Sequence, residues 1–223
     1  MTSSTAVLLS AGLDSTVLAT SEARSSRVHP IYVSTGLAWE QSELDALDRL
    51  LAQPPLAGHF APLARLSFTV QDLYPPTHWA LRGDAPGFDT PDADVYLTGR
   101  NIVLLSKAAI YCAEHGLTRI ALGPLAGNPF PDATPEFFCA MAHALSLGLA
   151  HRITIETPFA TMDKGDVIRL GIELGVPLEL TLSCMNPQNG LHCGQCSKCR
   201  ERRDGFADAG VSDATAYATV PLR

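Results

Sequence analysis

The chain has 223 residues, of which 46% are hydrophobic and 17% charged, and a formal net charge of -7. That length supports one main core with a small appendage and excludes two full domains, while the composition excludes a disordered or fibrous chain. The acidic balance excludes a broad electrostatic grip on nucleic acid, which needs clustered Lys and Arg to release counterions, and favours small-molecule substrates.

The opening segment MTSSTAVLLSAGLDS has no basic region, and its apolar run is too short for a signal peptide. No later run is long enough to span a bilayer, so the expected setting is the cytoplasm, with no membrane partner. The first element is a β-rich run at 5–10, which passes through SAGLDS into helical spacing at about 14–24. A buried strand that runs through a Ser- and Gly-containing turn into a helix brings backbone N–H groups and the positive helix end to the carboxyl edge of the sheet, where phosphate is bound. The spacing is neither the Walker pattern nor the dinucleotide fingerprint. The other reading of the turn is a plain strand-to-helix connection with Asp14 or Ser15 as helix cap.

Further strands are expected at 28–34, 64–70, 118–123 and 152–157, with helices at about 39–53, 100–116, 135–149 and 164–174. Short strands that are mostly apolar and alternate with helices predict a doubly wound α/β fold: a mostly parallel five-stranded sheet covered on both faces. The stretch from 71 to 98, rich in Pro, Gly and Asp, is read either as a lid or as a disordered excursion; Trp79, Phe88 and Tyr96 give it aromatic surface for packing. After the helix from 164, Gly175 suits a left-handed cap and Pro177 stops further winding.

The last segment holds Cys184, Cys193, Cys196 and Cys199. In a reducing cytosol such a cluster binds metal or does redox chemistry rather than forming disulfides. Four thiolates close a tetrahedral Zn2+ shell and leave no position for water, so one structural zinc per chain is expected. Redox-active or unliganded thiols are the other reading. Cys112 and Cys139 fall within apolar helical patterns and read as buried small hydrophobes. The KCRERR stretch beside the cysteines carries local positive charge, which fits a helix surface as well as a phosphate patch.

The residues Ser10, Ala11, Gly12, Leu13, Asp14 and Ser15 resemble the Ser-Gly-Gly-x-Asp-Ser loop of the ATP pyrophosphatases, which cleave ATP between its α and β phosphates. Combined with the four cysteines, and with GRNIVLLSKAAIYCAEHG at 99–116, PDATPEFFCAMAHALSLG at 131–148 and TPFATMDKGDVIRLGIELGVPLELTLSC at 157–184, the chain resembles the 7-cyano-7-deazaguanine synthases of the queuosine pathway over most of its length.

The resemblance implies an adenine nucleotide α-hydrolase-like, Rossmann-like domain over 1–180 and a zinc-binding helical segment over 181–223. It also implies ATP-dependent conversion of 7-carboxy-7-deazaguanine and ammonia to the nitrile, with Mg2+ accompanying ATP, in a homodimer. On matching positions it implies that Leu9, Ser10, Ala11, Gly12, Leu13, Asp14, Ser15 and Thr16 hold the nucleotide, that Lys164, Asp14 and Arg100 are catalytic, and that Arg100, Asn101 and Asp132 meet the deazaguanine. Lys164 also reads as a solvated first-turn lysine, and Asn101 and Asp132 as helix caps.

Two departures qualify the match. Ala11 stands where the family has Gly, so the turn must avoid positive φ or tolerate strain. The segment GPLAGNPFPDATPEF is about two residues shorter than the family pattern, with Ala133 and Thr134 in place of Cys and Arg. These changes leave room for an enzyme that activates a different carboxylate and stops at an amide. A tRNA thiolase would need RNA-binding surface and a free sulfur-carrying Cys, and a non-catalytic nucleotide sensor would bind ATP without turnover.

Overall fold

A computed structural model describes residues 3–219. Five strands, β1 (Ser3–Leu8), β2 (Ser26–Ser34), β3 (Ala64–Ser67), β4 (Arg119–Ala121) and β5 (Thr154–Glu156), form one sheet in the order β3-β2-β1-β4-β5. Every pairing is parallel. The helices are α1 (Leu13–Glu22), α2 (Glu40–Leu51), the short α3 (Trp79–Arg82), α4 (Arg100–Glu114), α5 (Pro135–Leu149), α6 (Lys164–Glu173) and α7 (Ser197–Ala209). Among the described residues no helix is long and apolar enough to cross a membrane.

The strands bury both faces. Val7, Val28, Tyr32 and Ala121 face a core closed by α1, α2, α6 and α7, whereas Ala6, Ile31, Val33 and Ile120 face a second core closed by α4 and α5. This two-sided burial explains the near-continuous apolar runs. β1 starts earlier than its apolar pattern suggests because Ser3 and Ser4 pair with Ser26 and Arg27, and polar residues at a strand end leave no periodic signal. The strand order reverses at β1, between β2 and β4, and in parallel sheets that crevice at the carboxyl ends is where ligands bind.

α6 ends as its sequence indicates, with Gly175 at φ +69° and the Val176 N–H bonded to the Gly171 carbonyl. Gly171 must be small: a Cβ there would meet Val17 Cγ2 at 2.8 Å. One expectation needs correction. Cys112 is buried, but Cys139 is exposed. α5 is apolar almost all round, so its pattern does not choose a face, and packing turns Phe138 inward instead.

The 71–98 stretch is an ordered wall rather than a disordered excursion. Val70, Ala80, Val95 and Leu97 build a small third core with Leu37, Trp39 and Met185. Arg200 of α7 fastens it by donating to the carbonyls of Phe88 and Thr90, at 2.9 and 3.0 Å, and by pairing with Asp92.

Candidate active site

A cleft of about 350 Å3 opens at the carboxyl ends of β1 and β4. One end of it is built by the loop from β1 to α1. Ser15 Oγ accepts the Ser10 N–H at 3.3 Å and donates to the Gly12 carbonyl at 3.1 Å, folding the loop back on itself. Ala11 takes the second of its two options: its φ is +61°, in the left-handed region, a conformation that costs a non-glycine residue about 1–2 kcal/mol. The surrounding structure holds it there, since Ala11 is fully buried and its carbonyl accepts the Leu182 N–H at 2.9 Å.

Leu9, Ser10, Gly12, Leu13, Asp14 and Ser15 line the cleft. Ala11 and Thr16 do not: Thr16 is buried and its hydroxyl is committed to the Gly12 carbonyl at 2.9 Å.

Lys164 enters from the first turn of α6, a helix started by the reciprocal caps of Asp163 and Asp166. It is not solvated. Its Nζ lies 2.6 Å from Asp14 Oδ2 and 2.7 Å from Glu201 Oε1, and Lys198 closes on the other oxygen of Glu201. Burial alone would lower the Lys164 pKa, but the charges of Asp14 and Glu201 outweigh it and raise the pKa above the ordinary lysine value. For Glu201, burial would raise the pKa, but Lys164 and Lys198 hold it down at about 2. Among the described residues Asp14 Oδ1 is buried without a partner, an acceptor free to meet a cation or its water shell.

The close approach of α7 to α6 makes this cluster possible. At Gly205 a Cβ would fall 2.2 Å from Lys164 Cγ.

The other end of the cleft is aromatic. Trp39 stacks on Trp79 with centroids 5.8 Å apart, and Tyr96 on Phe130 at 5.2 Å. All four line the cleft, together with Arg100, Asn101, Asp132 and Glu43. Asp132 does not cap the helix that follows it, because Thr134 does so by accepting the Phe137 N–H. It caps α4 from a distance: Asp132 Oδ2 accepts the Asn101 N–H at 3.0 Å, and Asn101 Nδ2 donates to the Asp132 carbonyl at 2.8 Å. This clamp fixes the first turn of α4 and with it Arg100, whose Nε is buried with no partner among the described residues. Burial raises the Asp132 pKa, opposed by its backbone hydrogen bonds and by Arg100.

Glu43 was not singled out in the sequence, although it lies on the inward face of an amphipathic helix. It is 8% exposed, and its Oε2 accepts the Tyr32 hydroxyl at 2.9 Å. Burial pushes its pKa up to about 7, against the opposing pull of Arg100. A carboxyl whose pKa is raised in the fold contributes its stability in full below its ordinary value and loses it as pH rises through about 7; here the loss amounts to about 3 kcal/mol. Glu43→Gln is therefore expected to melt higher than the parent at pH 8 and to flatten the melting curve against pH between about 4.5 and 7. An unchanged pH dependence in differential scanning calorimetry would contradict this.

The four predicted cysteines converge. All are buried, with their Sγ atoms within 4.8 Å of one another. Cys184–Cys196, Cys193–Cys199 and Cys196–Cys199 are separated by 3.9, 3.8 and 3.5 Å. The edge of a tetrahedron of thiolates around one ion, with metal–sulfur bonds of about 2.3 Å, is about 3.8 Å, so the set fits a single ion. The backbone N–H groups of Asn186, Cys193 and Gln195 point at the sulfurs at 3.2–3.3 Å, as suits thiolate charge.

Arg202 locks the cysteine segment to the rest. It is 1% exposed and donates to Thr215 Oγ1, Thr181 Oγ1 and the Leu178 carbonyl at 2.7, 2.8 and 2.6 Å. Arg202→Met removes these charge-assisted bonds and strands their acceptors. The expected cost is about 3 kcal/mol, a fall of roughly 6–12 °C in Tm. Melting within a degree of the parent would mean that the bonds contribute nothing.

Lys198 and Glu201 are two further site residues the sequence reading missed. Their i, i+3 spacing on one helix face was the available signal, but nothing local tied that face to the loop after β1.

Comparison with known proteins bears on this arrangement. The family described as queuosine biosynthesis protein QueC matches residues 4–210. The 7-cyano-7-deazaguanine synthase of Methanothrix thermoacetophila is 36% identical over 220 residues, covering 94% of this chain and 96% of that protein. The enzyme of the same name from Anaeromyxobacter dehalogenans is 35% identical over 222 residues, covering 95% and 94%. Two solved structures share the fold at low identity. A 4-thiouridine synthetase in complex with RNA and bound ATP has a TM-score of 0.50 at 15% identity and covers 93% of this chain and 51% of its own. The U34-tRNA thiolase NcsA of Methanococcus maripaludis, with its [4Fe-4S] cluster, has a TM-score of 0.50 at 12% identity and covers 95% and 73%.

Proposed function

The chain belongs to the QueC family of queuosine biosynthesis proteins, and from that membership we propose that it is a 7-cyano-7-deazaguanine synthase, an ATP-dependent carbon–nitrogen ligase. One observation carries the reading at the level of chemistry. A single cleft joins a loop-and-lysine end suited to polyphosphate with an aromatic end that holds Arg100, whose Nε has no partner among the described residues.

A carboxylate is a poor electrophile. Attack of the 7-carboxylate oxygen on the α-phosphorus of ATP expels pyrophosphate and makes an acyl adenylate, from which ammonia displaces AMP to leave the amide. A second ATP activates the amide oxygen in the same way, and loss of AMP gives the nitrile. Each transfer accumulates negative charge on the departing pyrophosphate. The Ser10 hydroxyl and the N–H groups of Gly12 and Ser15, with the ammonium groups of Lys164 and Lys198, would stabilise it. Arg100 receives the substrate carboxylate, Asp132 accepts from the amino and ring N–H groups of the base, and the stacked aromatic pairs offer flat surfaces to the heterocycle.

Mg2+ is the expected companion of ATP, with Asp14 Oδ1 as the protein oxygen free to meet it. The four cysteines would hold Zn2+. With four protein ligands and no open position, zinc would keep α7, and so Lys198 and Glu201, at the cleft rather than take part in the chemistry. The proposed assembly is a homodimer.

The test is to supply the purified protein with ATP, Mg2+, ammonium and 7-carboxy-7-deazaguanine and to follow AMP and products by mass spectrometry. AMP formation that depends on the deazaguanine, with nitrile as the final product, is expected. Failure to form AMP above the ATP-only control would overturn the assignment, and amide that never becomes nitrile would point to a different end product.

A further inference from the structure

Dehydrating an amide poses a problem that making one does not. Once ammonia has bonded to the acyl carbon, its nitrogen is cationic and sheds a proton readily to water. An amide N–H is a far weaker acid, and on the way to the nitrile that proton and then the N–H proton of the imidate must leave. One is lost as the amide oxygen bonds to phosphorus: R–CO–NH2 and ATP give R–C(=NH)–O–AMP, pyrophosphate and a proton. The other is lost as the C–O bond breaks: R–C(=NH)–O–AMP gives R–C≡N, AMP and a proton. A base poised at the acceptor end of the cleft lowers the barrier to both.

The cleft offers few candidates. Arg100 is a permanent cation, and Lys164 is held protonated by Asp14 and Glu201. Glu201 is itself bound by two ammonium groups, at the phosphate end. Asp132 is assigned above to the amino and ring N–H groups of the base, and its other oxygen is engaged by the α4 backbone. Asp14 is paired with Lys164 at the phosphate end, away from the acceptor. Glu43 remains. It lines the cleft between Trp39 and Arg100, is more than nine-tenths buried, and is oriented by the Tyr32 hydroxyl.

We propose that Glu43 is the general base that takes the amide N–H protons in the dehydration half of the reaction. The inference rests on the function proposed above. The groups facing Glu43 are Tyr32 from β2, Trp39 and Glu40 at the head of α2, and Arg100 from α4. Their balance with burial leaves its proton affinity near neutral pH, where a general base works best.

The experiment separates the halves. Parent and Glu43→Gln are each given ATP, Mg2+ and either 7-carboxy-7-deazaguanine with ammonium or the 7-amide alone. The variant is expected to make amide within a few-fold of the parent rate and to convert it to nitrile about 10²–10⁴-fold more slowly, so that amide accumulates. Glu43→Asp should restore part of the second half. In Tyr32→Phe the carboxyl remains but loses a hydrogen bond that favours its ionised form, so the acidic limb of the rate–pH profile for the amide should move to higher pH.

Nitrile formation by Glu43→Gln at the parent rate would overturn the proposal. So would equal loss of both halves, which reports lost binding, and an unmoved limb in Tyr32→Phe. If the parent forms neither product, the reading of the site fails and this inference fails with it.

Discussion

Replacing Cys196 by Ser is expected to abolish metal binding by the four-cysteine cluster and to melt the chain's C-terminal segment. Cys196 sits at a junction. It precedes the first turn of α7, its sulfur lies 3.9 and 3.5 Å from those of Cys184 and Cys199, and it pairs through a β-bridge with Gly87 in the 71–98 wall. Without a metal ion the remaining three sulfurs are buried with no charge to balance them. Structural metal sites contribute about 10–16 kcal/mol of apparent binding energy to the small domains they hold together. Losing one ligand of four should cost at least about 4 kcal/mol, or roughly 8–16 °C in Tm.

The damage should spread, because α7 carries Lys198, Glu201 and Gly205 to the cleft and Arg200 to the wall. Native mass spectrometry for metal content and a melting curve check this together. One tightly bound zinc and parent-like melting in the variant would show that the cysteines do not act as a staple.

Lys164→Met should lower deazaguanine-dependent AMP formation by about 10²–10³-fold, the usual cost of deleting a donor aimed at developing charge. Part of that loss could be assigned to instability, since Asp14 and Glu201 would be left as neighbouring half-buried carboxylates. Gly205→Ala separates the two causes. It keeps the ammonium group but puts a methyl where the stem of Lys164 now passes, 2.2 Å from Cγ, so Lys164 or α7 must move. A fall of about tenfold or more in AMP formation, with the Asp14–Lys164 charge pairing intact in number, would locate the effect in placement of the ammonium. Full activity in both variants would remove Lys164 from the mechanism.

The parts legible in the sequence are those whose physical causes are local. Apolar runs at 5–10 and 28–34 declare strands buried on both faces, and Gly175 with Pro177 ends a helix through its own backbone preferences. The four cysteines advertise a shared ion by spacing alone, and they do meet. Ser10, Gly12, Asp14 and Ser15 lie within six residues, so their joint presence at one edge follows from a single turn. Even Ala11 was legible as a dilemma, and the fold resolves it as left-handed backbone held by burial.

What tertiary structure alone decided is which distant side chains share that edge, and in what role. Asp132 reads locally as a cap for its own helix, yet it caps α4, some thirty residues earlier in the chain. Lys164 reads as a solvated lysine, yet it is pinned between α1 and α7. Glu43 and Glu201 carry no local mark of a role, but one is pushed up to about 7 and the other held down at about 2. Charge and burial act over a few ångströms of space regardless of separation along the chain. A residue's proton affinity and partners are therefore set by which elements the folded sheet brings side by side, and sequence neighbours carry no record of that.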